Sequence, residues 1–206
     1  VLIVLFSLLL AFAALMYAFI QLYPPFGGKT RRRVKERSAN FVKGRFVNQI
    51  PTSMSLGFGD MITIIRKVRN RSPRRTPAQP IKPVRLDASK PPASEQPQIT
   101  WFGHSSFLLQ QGGKNILLDP VFSRSTSPFQ FLGPQRFSDS LPATIEKLPH
   151  IDLVLISHDH YDHLDYESIQ KLAGKTTMFF VPLGLAAHLR KWGVTNGQIT
   201  ELDWWD

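Results

Sequence analysis

The sequence predicts an α/β domain that follows a membrane-spanning helix and a basic linker. Residues 1–23 carry no charged side chain, residues 24–97 are basic and rich in Pro and Ser, and short apolar runs begin at Ile99. These runs first follow one another and then alternate with helical patterns, which is typical of a layered α/β arrangement. We therefore assign residues 1–23 to a transmembrane anchor, 24–97 to a juxtamembrane linker and 98–206 to a folded domain.

The first segment, Val1 to Tyr23, contains only Ser7 and Gln21 as clearly polar residues. It is long enough to cross a hydrocarbon core as a helix. A cleaved signal peptide is the alternative, but the apolar run exceeds a usual h-region and "PPFGG" is a poor cleavage site. We expect a single-pass anchor, and the bases that follow it favour a cytoplasmic location for the rest of the chain.

Charge is unevenly distributed along the chain. Lys29 to Lys90 holds seventeen Lys or Arg against three acids, whereas Pro91 to Asp206 holds eight bases against twelve acids. The basic part is either a solvated linker or a segment attracted to anionic lipid heads, at about 1 kcal/mol per base near the surface. Arg69 to Gln98 lacks interleaved aromatic residues, so we expect an extended segment over a membrane or its own domain and no nucleic-acid partner.

The chain contains no cysteine. A disulfide framework and a thiolate metal site are therefore excluded, and any metal must bind nitrogen and oxygen. The sequence begins at Val1 rather than Met and ends on the aromatic residues of "ELDWWD". We expect it to be part of a longer protein at both ends.

Apolar runs predict the order of elements in the domain. Three runs with a glycine turn between the last two predict a β-meander: "ITWFG", "SSFLLQ" and "ILLDP". The continuous run "IDLVLIS" is typical of a strand covered on both faces. We expect Asp165 to cap a helix that ends at Gly174. A strand, a helix and a further strand follow in "TMFFVP", "LAAHLRKWG" and "ITELDWW".

The stretch "SHDHYDHLD" contains three of the six histidines in the chain. It directly follows a predicted strand, at the carboxyl edge where α/β proteins build their sites. His158 and His160 are separated by one residue, and Asp162 and His163 follow, so the loop suits two cations. A hydrogen-bonded loop without metal is the alternative, but closely packed imidazoles disfavour one another's charged forms unless a cation replaces the protons.

The ligand types do not select a single metal. Nitrogen and carboxylate ligands without sulfur suit zinc, and also iron or manganese. Two metals about 3.5–4 Å apart would polarise a phosphoryl or carbonyl oxygen. We expect two zinc ions in the full-length protein, with iron or manganese as alternatives.

These residues resemble a known family. "SHDHYDH" is similar to the H-x-H-x-D-H signature of the metallo-β-lactamase superfamily. The flanking "WFGHSSFLL", "NILLDPVFS", "GPQRF" and "FFVPLG" resemble its branch similar to N-acylphosphatidylethanolamine-hydrolysing phospholipase D. The resemblance runs from about Trp101 to Trp205 and implies an αββα sandwich, of which residues 98–206 would form the N-terminal half.

The resemblance also implies roles for individual residues. His158 and His160 would bind one metal, and Asp162 and His163 the other, with Asp162 also catalytic. Asp119 matches a family aspartate near the metal pocket, although a turn-forming Asp before Pro120 is an equal alternative. The family's remaining ligands, two histidines and a bridging aspartate, lie downstream of Asp206.

The other three histidines are not expected to replace those ligands. His104 lies in the first predicted hairpin, and we treat it as a candidate hydrogen-bond partner of the metal ligands. His188 lies in the middle of a predicted helix and is a surface or packing residue. His150 precedes a strand and has no predicted partner.

Three functions remain open from the sequence. The first is a membrane-anchored binuclear metal hydrolase that cleaves a phosphodiester of N-acylphosphatidylethanolamine-like lipids. The second is a hydrolase of amides or lactones on the same metal centre. The third is a membrane protein that uses a metal-binding domain for regulation without turnover. Asp162 favours chemistry, because a purely structural zinc is usually closed by four ligands without a second site.

Overall fold

A six-stranded mixed sheet forms the centre of the protein. The structure is a computed structural model that describes residues 1–52, 57–70, 72–87 and 96–206. The helices are α1 Leu2–Leu22, α2 Arg32–Lys35, α3 Phe58–Arg69, α4 Tyr166–Ala173 and α5 Ala186–Lys191. The strands are β1 Phe41–Val42, β2 Arg45–Phe46, β3 Gln98–Gly103, β4 Ser106–Gln111, β5 Lys114–Leu118, β6 Ile151–Leu155, β7 Thr176–Pro182 and β8 Ile199–Leu202.

The strand order of the sheet is the chain order, β3-β4-β5-β6-β7-β8. Strands β3, β4 and β5 pair antiparallel and form the predicted meander. Strands β5 to β8 pair parallel, with α4 between β6 and β7 and α5 between β7 and β8. The predicted α/β class is therefore confirmed.

One face of the sheet is closed by the helices. Leu108, Leu117, Val154 and Phe179 lie directly opposite one another across four strands, and all four side chains are fully buried. They share one apolar cluster with residues of α4, α5 and the segments beside them, among them Ile169, Leu172, Leu189 and Trp192. A sheet with helices on one face is the arrangement expected for one half of an αββα sandwich.

Two predicted details differ in the structure. Strand β5 ends at Leu118, because Asp119 has a left-handed φ of 39° and turns the chain out of the strand. Asp165 lies at the N-cap position of α4 but makes no side-chain cap to the helix backbone. Its carboxylate instead accepts hydrogen bonds from the Ser123 N–H at 3.2 Å and the Ser168 hydroxyl at 2.5 Å.

Helix α1 is the one helix in the described ranges that is long and apolar enough to cross a membrane, by length and composition. None of its most apolar stretch is buried against the rest of the protein. Among the described residues, the domain contacts the C-terminal end of the helix: the rings of Phe19 and of Tyr23, directly after the helix, stack on Phe129 at centroid distances of 6.2 and 5.2 Å, and Lys191 Nζ donates to the Gln21 carbonyl at 3.2 Å. The helix is thus fixed at its end and projects away from the sheet.

The region predicted as a linker contains regular structure. It holds α2, the short hairpin of β1 and β2, and the 12-residue helix α3. Farther along, the N–H groups of Ile81 and Leu86 donate to the carbonyls of Phe137 and Pro142 at 2.9 and 3.0 Å, so this stretch lies over its own domain. Within the stretch predicted to be extended, residues 71 and 88–95 fall outside the described residues.

The segment after α1 packs tightly on α5. The Trp192 indole N–H donates to the Pro24 carbonyl at 2.8 Å, and Lys191 Nζ donates to the Gly27 carbonyl at 2.9 Å. A Cβ at Gly28 would lie 2.0 Å from the carbonyl oxygen of Ala187, which is a backbone atom. The two backbones therefore lie so close together that only glycine fits at position 28.

We expect Gly28→Ala to displace this segment from α5. The added methyl group overlaps a backbone oxygen that cannot move aside, and overpacking of this kind costs about 1–3 kcal/mol. Trypsin cleavage after the exposed Arg31, Arg32 and Arg33 should accelerate by about fivefold or more. A cost of about 1 kcal/mol raises the population of molecules with the segment displaced by about a factor of five. The matched control is Gly197→Ala, where no heavy atom lies within 4 Å. Equal cleavage rates in both variants would contradict the tight contact.

Candidate metal centre

Two neighbouring parallel strands deliver the polar residues of the site. Leu118, the last residue of β5, pairs with Leu155, the last residue of β6. The Asp119 N–H continues this pairing and donates to the Leu155 carbonyl at 2.9 Å. Because the carboxyl ends of parallel strands meet at the same edge, Asp119 lies beside the histidine loop that begins at Ser157.

A tight turn brings three imidazoles together. The N–H groups of His163 and Leu164 both donate to the His160 carbonyl, at 2.9 and 2.8 Å. The ring of His158 lies 4.6 Å from that of His160 and 3.9 Å from that of His163, between centroids. The loop therefore places all three predicted histidines close to one another.

His104 joins this cluster from the turn between β3 and β4. Its Nε2 lies 3.0 Å from Asp162 Oδ2, and His163 Nε2 lies 3.8 Å from the same oxygen. One ligand atom from each of His104, Asp162 and His163 lies within 4.8 Å of the others. The sequence interpretation gave His104 a supporting position, and the structure puts it in direct contact with a predicted ligand.

Asp119 holds the loop in place. Its carboxylate accepts hydrogen bonds from the N–H of Ser157 at 2.7 Å and from the Ser157 hydroxyl at 2.8 Å. Its Oδ2 also lies 2.8 Å from His163 Nδ1. Since a carboxylate only accepts, this contact places the proton of His163 on Nδ1 and leaves Nε2 free to bind a metal. The sequence left two roles open for Asp119, that of a turn residue and that of a group near the metal pocket. In the structure Asp119 turns the chain and also contacts the predicted ligand His163.

Ser157 is a residue of the site that the sequence analysis missed. Its hydroxyl contacts Asp119, lies 2.9 Å from His158 Nδ1 and 3.2 Å from His163 Nδ1. Ser105 adds a second hydroxyl, 3.0 Å from His163 Nδ1. Its position between the end of a strand and the first histidine of the loop is the feature of the sequence that could have identified Ser157 as a residue of the site.

The environment of His158 favours the neutral imidazole. Burial, followed by the neighbouring His163 and His160, lowers the pKa of His158. A neutral imidazole is the form that binds a metal, because a proton and a metal compete for the same lone pair. The donor set of nitrogen and carboxylate oxygen, with no sulfur, therefore fits zinc, iron or manganese.

The other two histidines lie outside the cluster. His150 directly precedes β6, at the end of that strand opposite the histidine loop. Its Nε2 lies 2.8 Å from the hydroxyl of Thr177 in β7. His188 packs in α5 with its ring centroid 5.8 Å from that of Trp192, and burial lowers the pKa of His188. His188 is thus the packing residue that the helical position predicted.

A cavity of about 1000 Å³ opens beside the histidine loop. Ser157, His158 and Asp159 contribute to one part of its wall, and the carboxyl ends of β6, β7 and β8 contribute apolar surface. Lys29 and Lys35, from the segment that follows α1, also line it. One predicted ligand, His158, therefore shares the wall of this cavity with apolar groups, two lysines and the carboxylates of Asp159 and Asp203.

Comparison with known proteins gives a consistent assignment. Residues 114–206 match the family described as "Beta-lactamase superfamily domain". An uncharacterised protein of Mycobacterium tuberculosis is 42% identical over 175 residues, which are 84% of this chain and 46% of that protein. The chain thus spans about half the length of this relative.

Two further relatives carry functional names. N-acyl-phosphatidylethanolamine-hydrolysing phospholipase D 1 of Caenorhabditis elegans is 36% identical over 110 residues, covering 51% of this chain and 31% of that protein. A metal-dependent hydrolase of Pyrobaculum neutrophilum is 40% identical over 78 residues, covering 37% of this chain and 29% of that protein. The region from β5 to β8 therefore matches the β-lactamase superfamily domain and is similar to these relatives, as the resemblance of the sequence implied.

Proposed function

We propose that the protein is a membrane-anchored, metal-dependent hydrolase that cleaves a phosphodiester of N-acylphosphatidylethanolamine-like phospholipids. The observation that carries this proposal is the cavity beside the histidine loop. Its wall includes His158 at the site and Lys29 and Lys35 from the segment directly after α1. A phospholipid has an anionic phosphodiester and apolar chains, which match the cationic and apolar parts of this wall.

The proposed ligands fall into two pairs. His158 and His160 hold one metal, and Asp162 and His163 hold the other, with zinc as the proposed metal and iron or manganese as alternatives. When bound, such metals polarise a phosphoryl oxygen and lower the pKa of water. The similarity to a named metal-dependent hydrolase and the cluster of Asp162 and His163 with His104 support metal dependence.

The protein's own groups would orient the reactants. The carboxylate of Asp162, whose side chain is 38% exposed, would accept a hydrogen bond from the attacking water and direct it towards phosphorus. Asp119 fixes the tautomer of His163, and His104 fixes the position of the Asp162 carboxylate by their 3.0 Å contact. Lys29 and Lys35 attract the phosphate to the cavity.

Attachment to the membrane would keep the cavity near its substrate. Helix α1 serves as the single-pass anchor, and the bases after it lie against anionic lipid heads on the cytoplasmic side. The apolar composition of α1 and its exposed surface support this arrangement.

Metal analysis tests the ligand assignment. The full-length protein should bind close to two equivalents of divalent metal, and the combined substitution His158→Ala with His160→Ala should remove one of them. His150→Ala, at the opposite end of β6, is the control and should keep both. Unchanged metal content in the double variant would defeat the assignment.

Kinetics tests the role of Asp162. Asp162→Asn keeps the shape of the side chain and removes its charge, so it should weaken metal binding and the orientation of the attacking water. We expect turnover of a phosphodiester to fall by at least about 10²-fold, with a smaller change in substrate binding. Full turnover at saturating metal would rule out this role. The exposed Asp139, changed to Asn, is the control and should retain activity.

The same assays distinguish the alternative substrates. The wild-type protein is given a phosphodiester lipid, an N-acyl amide and a lactone under identical conditions. Faster hydrolysis of the amide or the lactone would contradict the proposed substrate class. Metal binding without hydrolysis of any of the three would favour a regulatory protein.

Extraction tests the anchor. The intact protein should resist extraction of membranes with alkaline carbonate, because α1 crosses the bilayer. Removal of residues 1–23 should make the protein extractable, since surface contacts alone remain. Resistance of the truncated protein, or extraction of the intact one, would contradict a single spanning anchor.

A further inference from the structure

Helix α3, Phe58–Arg69, has two chemically different faces. Phe58, Met61, Ile62 and Ile65 are spaced by three and four residues, so they share one side of the helix. All four side chains are exposed, Phe58 at 84% and Ile65 at 60%. This apolar stripe of α3 thus faces outward from the rest of the described protein.

The side of α3 opposite the stripe is polar and carries Asp60, Thr63 and Lys67. The last turn is basic: besides Lys67 it holds Arg66, beside the stripe, and Arg69, on the stripe's own side four residues after Ile65. Asp60 is the one acidic residue of the helix. The Asp60 carboxylate accepts a hydrogen bond from the Gly57 N–H at 2.9 Å and so caps the start of the helix. An apolar stripe with an aromatic residue, on a helix whose other side is polar and whose last turn is basic, is typical of helices that lie in a membrane interface, where long basic side chains extend to the headgroups.

The end of α1 brings the domain close to the bilayer that we propose it spans. The rings of Phe19 and Tyr23 stack on Phe129, and the Tyr23 hydroxyl donates to the Pro128 carbonyl at 2.9 Å. These contacts hold the end of α1 directly against the domain, without a flexible linker between them. Elements on the same side of the domain are therefore held near the lipid heads.

Helix α3 is attached to the domain on both sides by short chain segments. Before it, the Gln49 side chain accepts a hydrogen bond from the Trp205 indole N–H at 3.0 Å. After it, the Ile81 N–H donates to the Phe137 carbonyl. Phe58 follows Gln49 by nine positions, and an extended chain of that length spans up to about 30 Å. The helix can therefore reach a membrane surface that lies beside the domain.

We propose that α3 lies in the surface of the bilayer that holds α1, with its apolar stripe among the acyl chains and the bases of its last turn among anionic headgroups. The proposal rests on the membrane anchoring proposed above. Its occupant is an anionic lipid surface, because Arg66, Lys67 and Arg69 complement negative headgroups. An apolar stripe on a second protein copy would lack this complementarity.

Site-specific labelling of the full chain tests this proposal. The protein contains no cysteine, so Ile65→Cys on the stripe and Thr63→Cys on the polar face each accept one fluorophore. Both positions are exposed. Each labelled protein is placed in vesicles of phosphatidylcholine and phosphatidylserine that contain brominated acyl chains.

The expected result is opposite behaviour at the two positions. Brominated chains should quench the label at Ile65→Cys at least about threefold more than the label at Thr63→Cys, since such helices bury their apolar face about 5–10 Å deep. Iodide in the water should show the reverse preference. Replacing phosphatidylserine with phosphatidylcholine should reduce quenching at Ile65→Cys, because the attraction of the bases in the last turn of α3 to anionic headgroups is lost.

Two outcomes would overturn the proposal. Equal access of iodide to both labels would place α3 in water. A label at Ile65→Cys that neither quencher reaches would place the stripe against protein. A label at Leu10→Cys, in the middle of α1, reports the anchor separately: if brominated chains do not quench it, the anchoring proposal fails, while the pair at positions 65 and 63 still decides the location of α3.

Discussion

The parallel pairing of β5 with β6 is the constraint on which the site depends. Leu118 and Leu155 end their strands at the same level, so the chain leaves both strands at one edge. A shift of one residue in this register would turn each side chain to the other face of the sheet. The buried row of Leu117 and Val154 opposes such a shift, because both side chains are fully buried. The apolar core thus sets the position of Asp119 relative to the histidines.

A carboxylate at this edge compensates for the crowding of imidazoles. Asp119 is nearly buried and accepts two hydrogen bonds from Ser157, which satisfy a charge that would otherwise be costly to bury. Its third contact, with His163 Nδ1, fixes one ring orientation. The left-handed φ of Asp119 is a local cost of about 1–3 kcal/mol that these three contacts offset.

The sequence was sufficient for elements with a strong local pattern. Short apolar runs predicted β3 and β4, and the strand before Ser157 predicted where the histidine loop would lie. It was not sufficient where residues far apart in the chain meet. Ser157 contacts Asp119 across 38 positions. Asp165 satisfies the Ser123 N–H across 42 positions instead of capping α4. Both outcomes depend on tertiary distances that no spacing in the sequence records.

The close contact of the Gly27–Gly28 pair with α5 relates the two parts of the proposed function, which are metal binding and the attraction of phosphate. Any Cβ at Gly27 would overlap the ring of His188, and one at Gly28 the backbone of Ala187. The segment must therefore lie flat on α5, and this path brings Lys29 to the cavity beside His158. Because the proposed metal ligands lie on other elements, displacing the segment would move its lysines away from the cavity and leave the histidine cluster intact. The proposed metal binding and the proposed attraction of phosphate therefore depend on separate parts of the structure.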